Sequence, residues 1–237
     1  MPPETGELYG KTAKEREAAS ASSLRAVARP QAARTLSATV LFVDLRGYTG
    51  LAERLPPAQV AALLDEFFAV LVGATVRHGG QIFSMVGDGM MAGFGLQKVP
   101  GDVPGDGARD ALHAAQAMLA SFAPIVSRWR SELAIETGIG VGLHRGDVAL
   151  CLHGPPGQRA NTLVGDTVNV AARLCSRARA GEVLFSASVA AALQASAPAE
   201  RNPPDPIPFI QLPQFELRGR TRPLDIWCMP AEERLAL

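Results

Sequence analysis

The feature that most constrains this chain is an apolar strand ending on a carboxylate, followed a helix-length later by a second carboxylate in a glycine turn. Val40 to Val43 is apolar and partly β-branched, reads as a buried strand, and stops at Asp44. Gln81 to Val86 reads as a second strand, turning through Gly87-Asp88-Gly89 into a third, Met90 to Phe94. Flanking glycines let the backbone bend sharply at Asp88 and let a ligand come close. If the strands are sheet neighbours, Asp44 and Asp88 face one another at the sheet end. Facing carboxylates repel unless a cation sits between them, and oxygen-only ligands suit Mg²⁺ or Mn²⁺.

The remaining pattern builds outward from these strands. Arg46 to Gly50 is a turn whose amides, at Gly47, Tyr48 and Thr49, can begin a helix and face phosphate oxygens. Pro56-Pro57 opens a helix whose Val60, Leu63, Leu64, Phe67, Leu71 and Val72 share one face, and Gly79-Gly80 stops it. Gly95 to Gly107 reads as a loop, and Ala108 to Arg130 as a second helix that Pro124 should kink or end early. Ile139 to His144 and Val148 to Leu152 are expected as two strands of a hairpin turning near Gly146-Asp147. After a break at Gly154-Pro-Pro-Gly157, Asp166 or Thr167 should cap a helix carrying Val168, Val170, Ala171 and Leu174. Val183 to Phe185, Phe209 to Leu217 and Pro223 to Met229 are further strands, with a proline-rich linker over 195–208. Strand, helix, hairpin, helix, strand gives an α+β fold with a ferredoxin-like βαββαβ core, extra C-terminal strands and helices on one sheet face. Residues 1–35, poor in large apolar side chains, are expected as a flexible or loosely helical tail, leaving 36–237 as one domain.

Composition narrows the function classes. Lys plus Arg and Asp plus Glu both number 23, so the formal charge is zero and no footprint for nucleic acid or an anionic membrane is present. The cysteines, Cys151, Cys175 and Cys228, are odd in number and lack metal-ligand spacing, so they read as reduced thiols of a cytoplasmic protein. No signal peptide is read. The apolar run from Ala58 to Val76 is interrupted by Asp65 and Glu66 and is not expected to span a membrane.

Three segments carry a family resemblance: Phe42-Val-Asp-Leu-Arg-Gly-Tyr-Thr49, Met85-Val-Gly-Asp-Gly-Met-Met-Ala92 and Val164-Gly-Asp-Thr-Val-Asn-Val-Ala-Ala-Arg173. In this order and spacing they resemble the signature segments of class III nucleotidyl cyclase catalytic domains, over roughly 36–230. The resemblance implies that Asp44 and Asp88, with the backbone carbonyl of Leu45, bind two divalent ions, and that Asn169 and Arg173 stabilise the transition state. It implies a purine contact at Thr162, a triphosphate contact at Arg220, and a homodimer with shared sites. Ser84 departs from the pattern, standing where adenylate-forming members usually carry a lysine that reads the base. Cys151 replaces a frequent glycine, and His144 is assigned no direct chemistry.

Each residue also has a plainer reading. Either aspartate alone is an ordinary turn residue, Asn169 and Arg173 could be a solvated helix face, and Arg220 could belong to a basic hairpin. The favoured function is an adenylate cyclase making cyclic AMP from ATP. Guanylate cyclase is the rival within the same class, and a degenerate regulatory cyclase-homology domain is the alternative outside it. Another palm-type phosphotransferase, such as a diguanylate cyclase, fits the core but not the Asn169/Arg173 segment.

Overall fold

The computed structural model describes residues 34–96, 107–155, 157–195, 209–216 and 223–230. Residues 1–33 of the expected tail, most of the loop between Gly95 and Gly107, most of the proline-rich linker and Arg220 lie outside these residues, while Arg34 and Thr35, expected in the tail, are in the first strand. In chain order the elements are β1 (Arg34–Leu45), α1 (Tyr48–Arg54), α2 (Pro57–Arg77), β2 (Gln81–Val86), β3 (Gly89–Phe94) and α3 (Ala108–Leu133). Then follow β4 (Ile139–His153), β5 (Ala160–Val164), α4 (Asp166–Arg177), β6 (Val183–Ser186), α5 (Ala187–Ala195), β7 (Ile210–Phe215) and β8 (Leu224–Met229). The strands form one sheet in the order β2-β3-β1-β4-β6-β8-β7, with β5 added to β4. The part from β1 to β4, with order β2-β3-β1-β4, is the expected βαββαβ core.

Central strand β1 pairs antiparallel with β3 on one side and β4 on the other. Its pleat sends Leu41, Val43 and Leu45 into the larger core with α2, α3 and α5, while Ala38 and Val40 join a smaller core on the other face. Helix α4 covers that second face through Val170, Ala171 and Leu174. The expectation of helices on one face is therefore corrected: they lie on both, and Asp44 shares the face of α4.

The reason lies in β4, which is one continuous strand of 15 residues and not the expected hairpin. Its apolar residues Ile139, Val141 and Leu143 fill the larger core, while the alternating positions are Gly140 and Gly142, with Gly146 further along. A Cβ on Gly142 would run into the backbone of α4 at Ala171 and Cys175, and one on Gly146 would stand 2.7 Å from Thr167 Oγ1. These glycines mark close approach of a helix, which in sequence looks like a turn signal. Thr167 does not cap α4 by its side chain: Gly165 occupies the N-cap, and Thr167 Oγ1 donates to the Asp147 carbonyl at 2.7 Å. The hairpin partner of β4 is β5, a strand the sequence pattern did not reveal, and α5 was likewise missed.

Pro124 does not end α3, which runs on to Leu133. Interior proline costs about 3 kcal/mol, but Phe122 and Trp129 are buried on either side of it, and each such side chain contributes roughly 1.5–3 kcal/mol. Phe122 meets Phe67 and Trp129 edge-on, with ring centroids 5.5 Å apart in both pairs. Glu66, which interrupts the apolar pattern of α2, accepts the Trp129 indole N–H at 3.2 Å and pairs with Arg128. Helix α2 is long and apolar enough to cross a membrane by length and composition, and here its Val60, Leu63, Phe67 and Leu71 pack in the core.

The close approach of α4 to β4 predicts a steep cost at Gly142. Gly142→Ala meets backbone, which cannot swing aside, so a loss of about 3 kcal/mol, the upper end for overpacking, is expected in urea unfolding. Gly50→Ala, with no atom within 4 Å of its added carbon, should be neutral or slightly stabilising.

Candidate active site

The site is built where β1 ends. Asp44 stands opposite Gly89, and its Oδ1 lies 3.6 Å from the position a Gly89 Cβ would take. Strands β2 and β3 are joined by the two residues Gly87-Asp88, with Gly87 at φ +60° and Asp88 at negative φ, as in a type II′ turn. The Leu45 amide donates to the Asp88 carbonyl at 3.1 Å and ties this tip to the end of β1. Asp88 thus comes beside Asp44. Burial, and then the charge of Asp44, push the Asp88 carboxyl above its ordinary value of 3.8, while its own backbone amide and Arg46 pull it partly back.

Arg46 organises the other side of Asp44. Its Nη1 donates to Asp44 Oδ2, its Nη2 to the Cys175 carbonyl at 2.5 Å, and its Nε to the Ala178 carbonyl at 2.9 Å. These carbonyls close the C-terminal end of α4, where the helix dipole favours a cation. A Cβ on Gly140 would land on the guanidinium, so the slot exists only because residue 140 is glycine. The Arg46 main chain is fixed as well: its N–H donates to the Gly138 carbonyl at 2.8 Å, and its carbonyl accepts from Thr137 Oγ1 at 2.7 Å. Burial pushes the Cys175 thiol up to about 12, so it stays neutral, and it donates to the Gly140 carbonyl at 3.3 Å. Sequence reasoning missed the role of Arg46. The available signal was its spacing: residues two apart at a strand end project to the same face.

The other expected residues are distributed around this centre. Gly47, at φ +78°, turns the chain into α1; Tyr48 packs partly against the core and Thr49 is exposed. Ser84 pairs with Met91 beside a bulge in the hairpin. Thr162 is half-buried on β5 opposite the free Cys151. Asn169 and Arg173 lie one turn apart on the exposed face of α4, whereas Cys175 and Ala178, which meet Arg46, are buried. Within one chain the two aspartates are therefore brought together, and the Asn169/Arg173 pair points away from the contact between Arg46 and α4. His144 is engaged in a structural relay: its Nδ1 lies 2.7 Å from Ser186 Oγ, which is 2.9 Å from Ser188 Oγ.

The donor set fits divalent cations. Asp44 and Asp88 offer oxygen only, burial and then the charge of Asp44 raise the proton affinity of Asp88, and the Asp44 side chain is 37% exposed, so an ion can reach it. Among the described residues no group of three or more His, Cys, Asp or Glu forms a metal cage. Two carboxylates completed by phosphate oxygens and water are the usual manner of holding Mg²⁺.

Comparison with known proteins gives a consistent picture. The family model described as the adenylate and guanylate cyclase catalytic domain matches residues 31–223. An adenylate cyclase of Anabaena cylindrica is 34% identical over 60% of this chain and 28% of its own length. The chain thus spans about a quarter of the length of the curated relatives it matches. The crystal structure of the adenylyl cyclase CyaB from P. aeruginosa is similar with a TM-score of 0.72 and 26% identity, covering 82% of this chain and 95% of that one. The guanylyl cyclase Cya2 shares the fold with a TM-score of 0.67 and 23% identity, covering 83% of this chain and 92% of that one.

The raised Asp88 carboxyl gives a pH test of cation binding. Its stabilising contribution in the metal-free protein is complete below 3.8 and is lost as pH rises through the raised value. A cation stabilises the ionised form, so saturating Mn²⁺ should raise Tm more at neutral pH than near 3.8, where the raised carboxyl is still largely protonated. Differential scanning fluorimetry of the wild type and Asp88→Asn measures this, and the pH-dependent part of the increment should vanish in the variant.

Proposed function

This chain belongs to the adenylate and guanylate cyclase catalytic domain family, and from that premise we propose that it converts ATP into cyclic AMP and pyrophosphate at sites shared between two copies. The observation that carries this reading is the pair Asp44 and Asp88, held side by side at a sheet end by the Leu45–Asp88 backbone bond. Asp44, Asp88 and the Leu45 carbonyl would hold two Mg²⁺ or Mn²⁺ ions. Such ions, when bound, make the ribose 3′ oxygen a better nucleophile and neutralise the triphosphate.

In the reaction the 3′ oxygen gives its proton to water and bonds to the α-phosphorus, and the bridging oxygen departs with pyrophosphate. The backbone turn at Gly47, Tyr48 and Thr49 lies beside the phosphates. Arg173 sets a planar, permanently charged fork against the phosphoryl oxygens as charge grows on them. Asn169 orients the ribose, Ser84 and Thr162 contact the purine through short hydroxyls, and Arg220 supports the triphosphate.

Two observations support sharing between copies. Asn169 and Arg173 face outward on α4, and the Asp44 carboxylate of the same chain is engaged from the buried side of that helix through Arg46. A two-fold dimer would set the outer face of one α4 against the partner's carboxylates and repeat the site twice. ATP is favoured by the likeness to the Anabaena cylindrica adenylate cyclase and to CyaB. Reduced Cys151, Cys175 and Cys228 accord with action in the cytoplasm, where ATP is abundant.

Incubation with ATP or GTP, each with Mn²⁺ or Mg²⁺, and product identification test the reaction itself: cyclic AMP is expected, and cyclic GMP alone would reassign the substrate. Neutral hydroxyls at Ser84 and Thr162 should make base discrimination modest, roughly tenfold or less, and Ser84→Lys should sharpen it towards ATP.

Asp44→Ala and Arg173→Ala should each be almost inactive while still folding cooperatively. Mixed in equal amounts under exchange, they should recover about a quarter of wild-type activity, because half the dimers carry one intact site of two. No recovery after exchange is confirmed by native mass spectrometry would mean that each chain builds its own site.

A further inference from the structure

We infer that Arg46 is a positioning residue for the cation site: it holds Asp44 by Oδ2, braces against the end of α4, and leaves Oδ1 turned to Asp88 and the incoming ion. The inference rests on the proposed role of Asp44 and Asp88 as cation ligands. It concerns a residue that the family resemblance left without a function.

The geometry divides the Asp44 carboxylate in two. Oδ2 accepts from Arg46 Nη1, while Oδ1 lies on the Gly89 side, where the turn carrying Asp88 ends and β3 begins. The guanidinium cannot follow a cation outward, since Nη2 and Nε are bonded to the carbonyls of Cys175 and Ala178. The floor of its slot is Gly140, and its own backbone is bonded on both sides, to Gly138 and Thr137. The Arg46 side chain is 22% exposed, against 37% for that of Asp44, so the carboxylate is the more open of the two. A planar fork with donors in fixed directions can meet three acceptors at once, which an ammonium on a flexible stem does not reproduce.

Charge and orientation make opposite predictions here. As a charge alone, Arg46 repels a divalent cation, so removing it should tighten binding. As a positioning group, it spares Asp44 the cost of being fixed when the ion arrives, so removing it should weaken binding. Partners that orient metal ligands from behind are typically worth roughly 10–100-fold in affinity.

The test is Mn²⁺ binding to the full 237-residue chain without nucleotide, followed by the electron paramagnetic resonance of free Mn²⁺. Arg46→Gln and Arg46→Lys should both bind Mn²⁺ about tenfold more weakly than wild type. Tighter binding by Arg46→Gln, or unchanged binding by Arg46→Lys, overturns the inference. Gly140→Ala, which displaces the guanidinium without removing any charge, should behave like Arg46→Lys.

Asp44→Ala separates this inference from the reading beneath it. Wild-type Mn²⁺ affinity in Asp44→Ala sinks the ligand assignment itself. Lost affinity there, with wild-type affinity in the Arg46 variants, sinks only the role of Arg46. A measurement on the wild type needs no variant to fold: the Arg46 Nε–H resonance should shift on Mg²⁺ saturation yet stay protected from exchange. Loss of that protection means that the ion displaces the guanidinium, and the inference fails.

Discussion

The register of β1 is the constraint on which the rest depends. Paired along both edges, with Asp44 opposite Gly89 on β3 and Gly140 on β4, the strand has no freedom to slide. Its alternation divides adjacent residues between opposite faces: Val43 and Leu45 enter the larger core, and Asp44 between them faces α4. A slip of one residue would send that carboxylate into an apolar core and expose the valine. Burial of Leu41, Val43 and Leu45 therefore does more than stabilise the sheet, since it fixes which way the Asp44 carboxylate points.

Much of this was legible in the sequence, for a definite reason. The apolar strand runs and the helical stripe over 40–94 are long, and Gly87 sits where a two-residue hairpin requires a glycine. The resemblance of the three signature segments added the family, which the match over residues 31–223 bears out. What failed was local punctuation read without tertiary context. Gly146-Asp147 looks like a turn but lies within β4, because its glycine makes room for Thr167. Pro124 looks like a helix end but is spanned by aromatic packing between α2 and α3.

Side-chain partners separated by more than a hundred residues were the hardest to foresee. Nothing local announces that Arg46 will reach the carbonyls of Cys175 and Ala178, because that contact exists only after α4 has packed on the sheet. Glu66 is similar. In the sequence it breaks an apolar run, while in the fold it accepts an indole N–H from the neighbouring helix and pairs with Arg128. Polar residues on apolar faces mark long-range hydrogen bonds more often than errors of pattern, since burial without a partner is costly.

The bare glycine face of β4 has a mechanical consequence. Over Gly142, α4 rests directly on main chain, and at that point no intervening side chain can change rotamer and let the helix tilt. Helix and strand then behave as a single stiff plate, fastened at one end by Thr167 to Asp147 and at the other by Arg46. Anything that meets the outer face of α4 must travel to it, because the helix has no soft bed on which to travel outward.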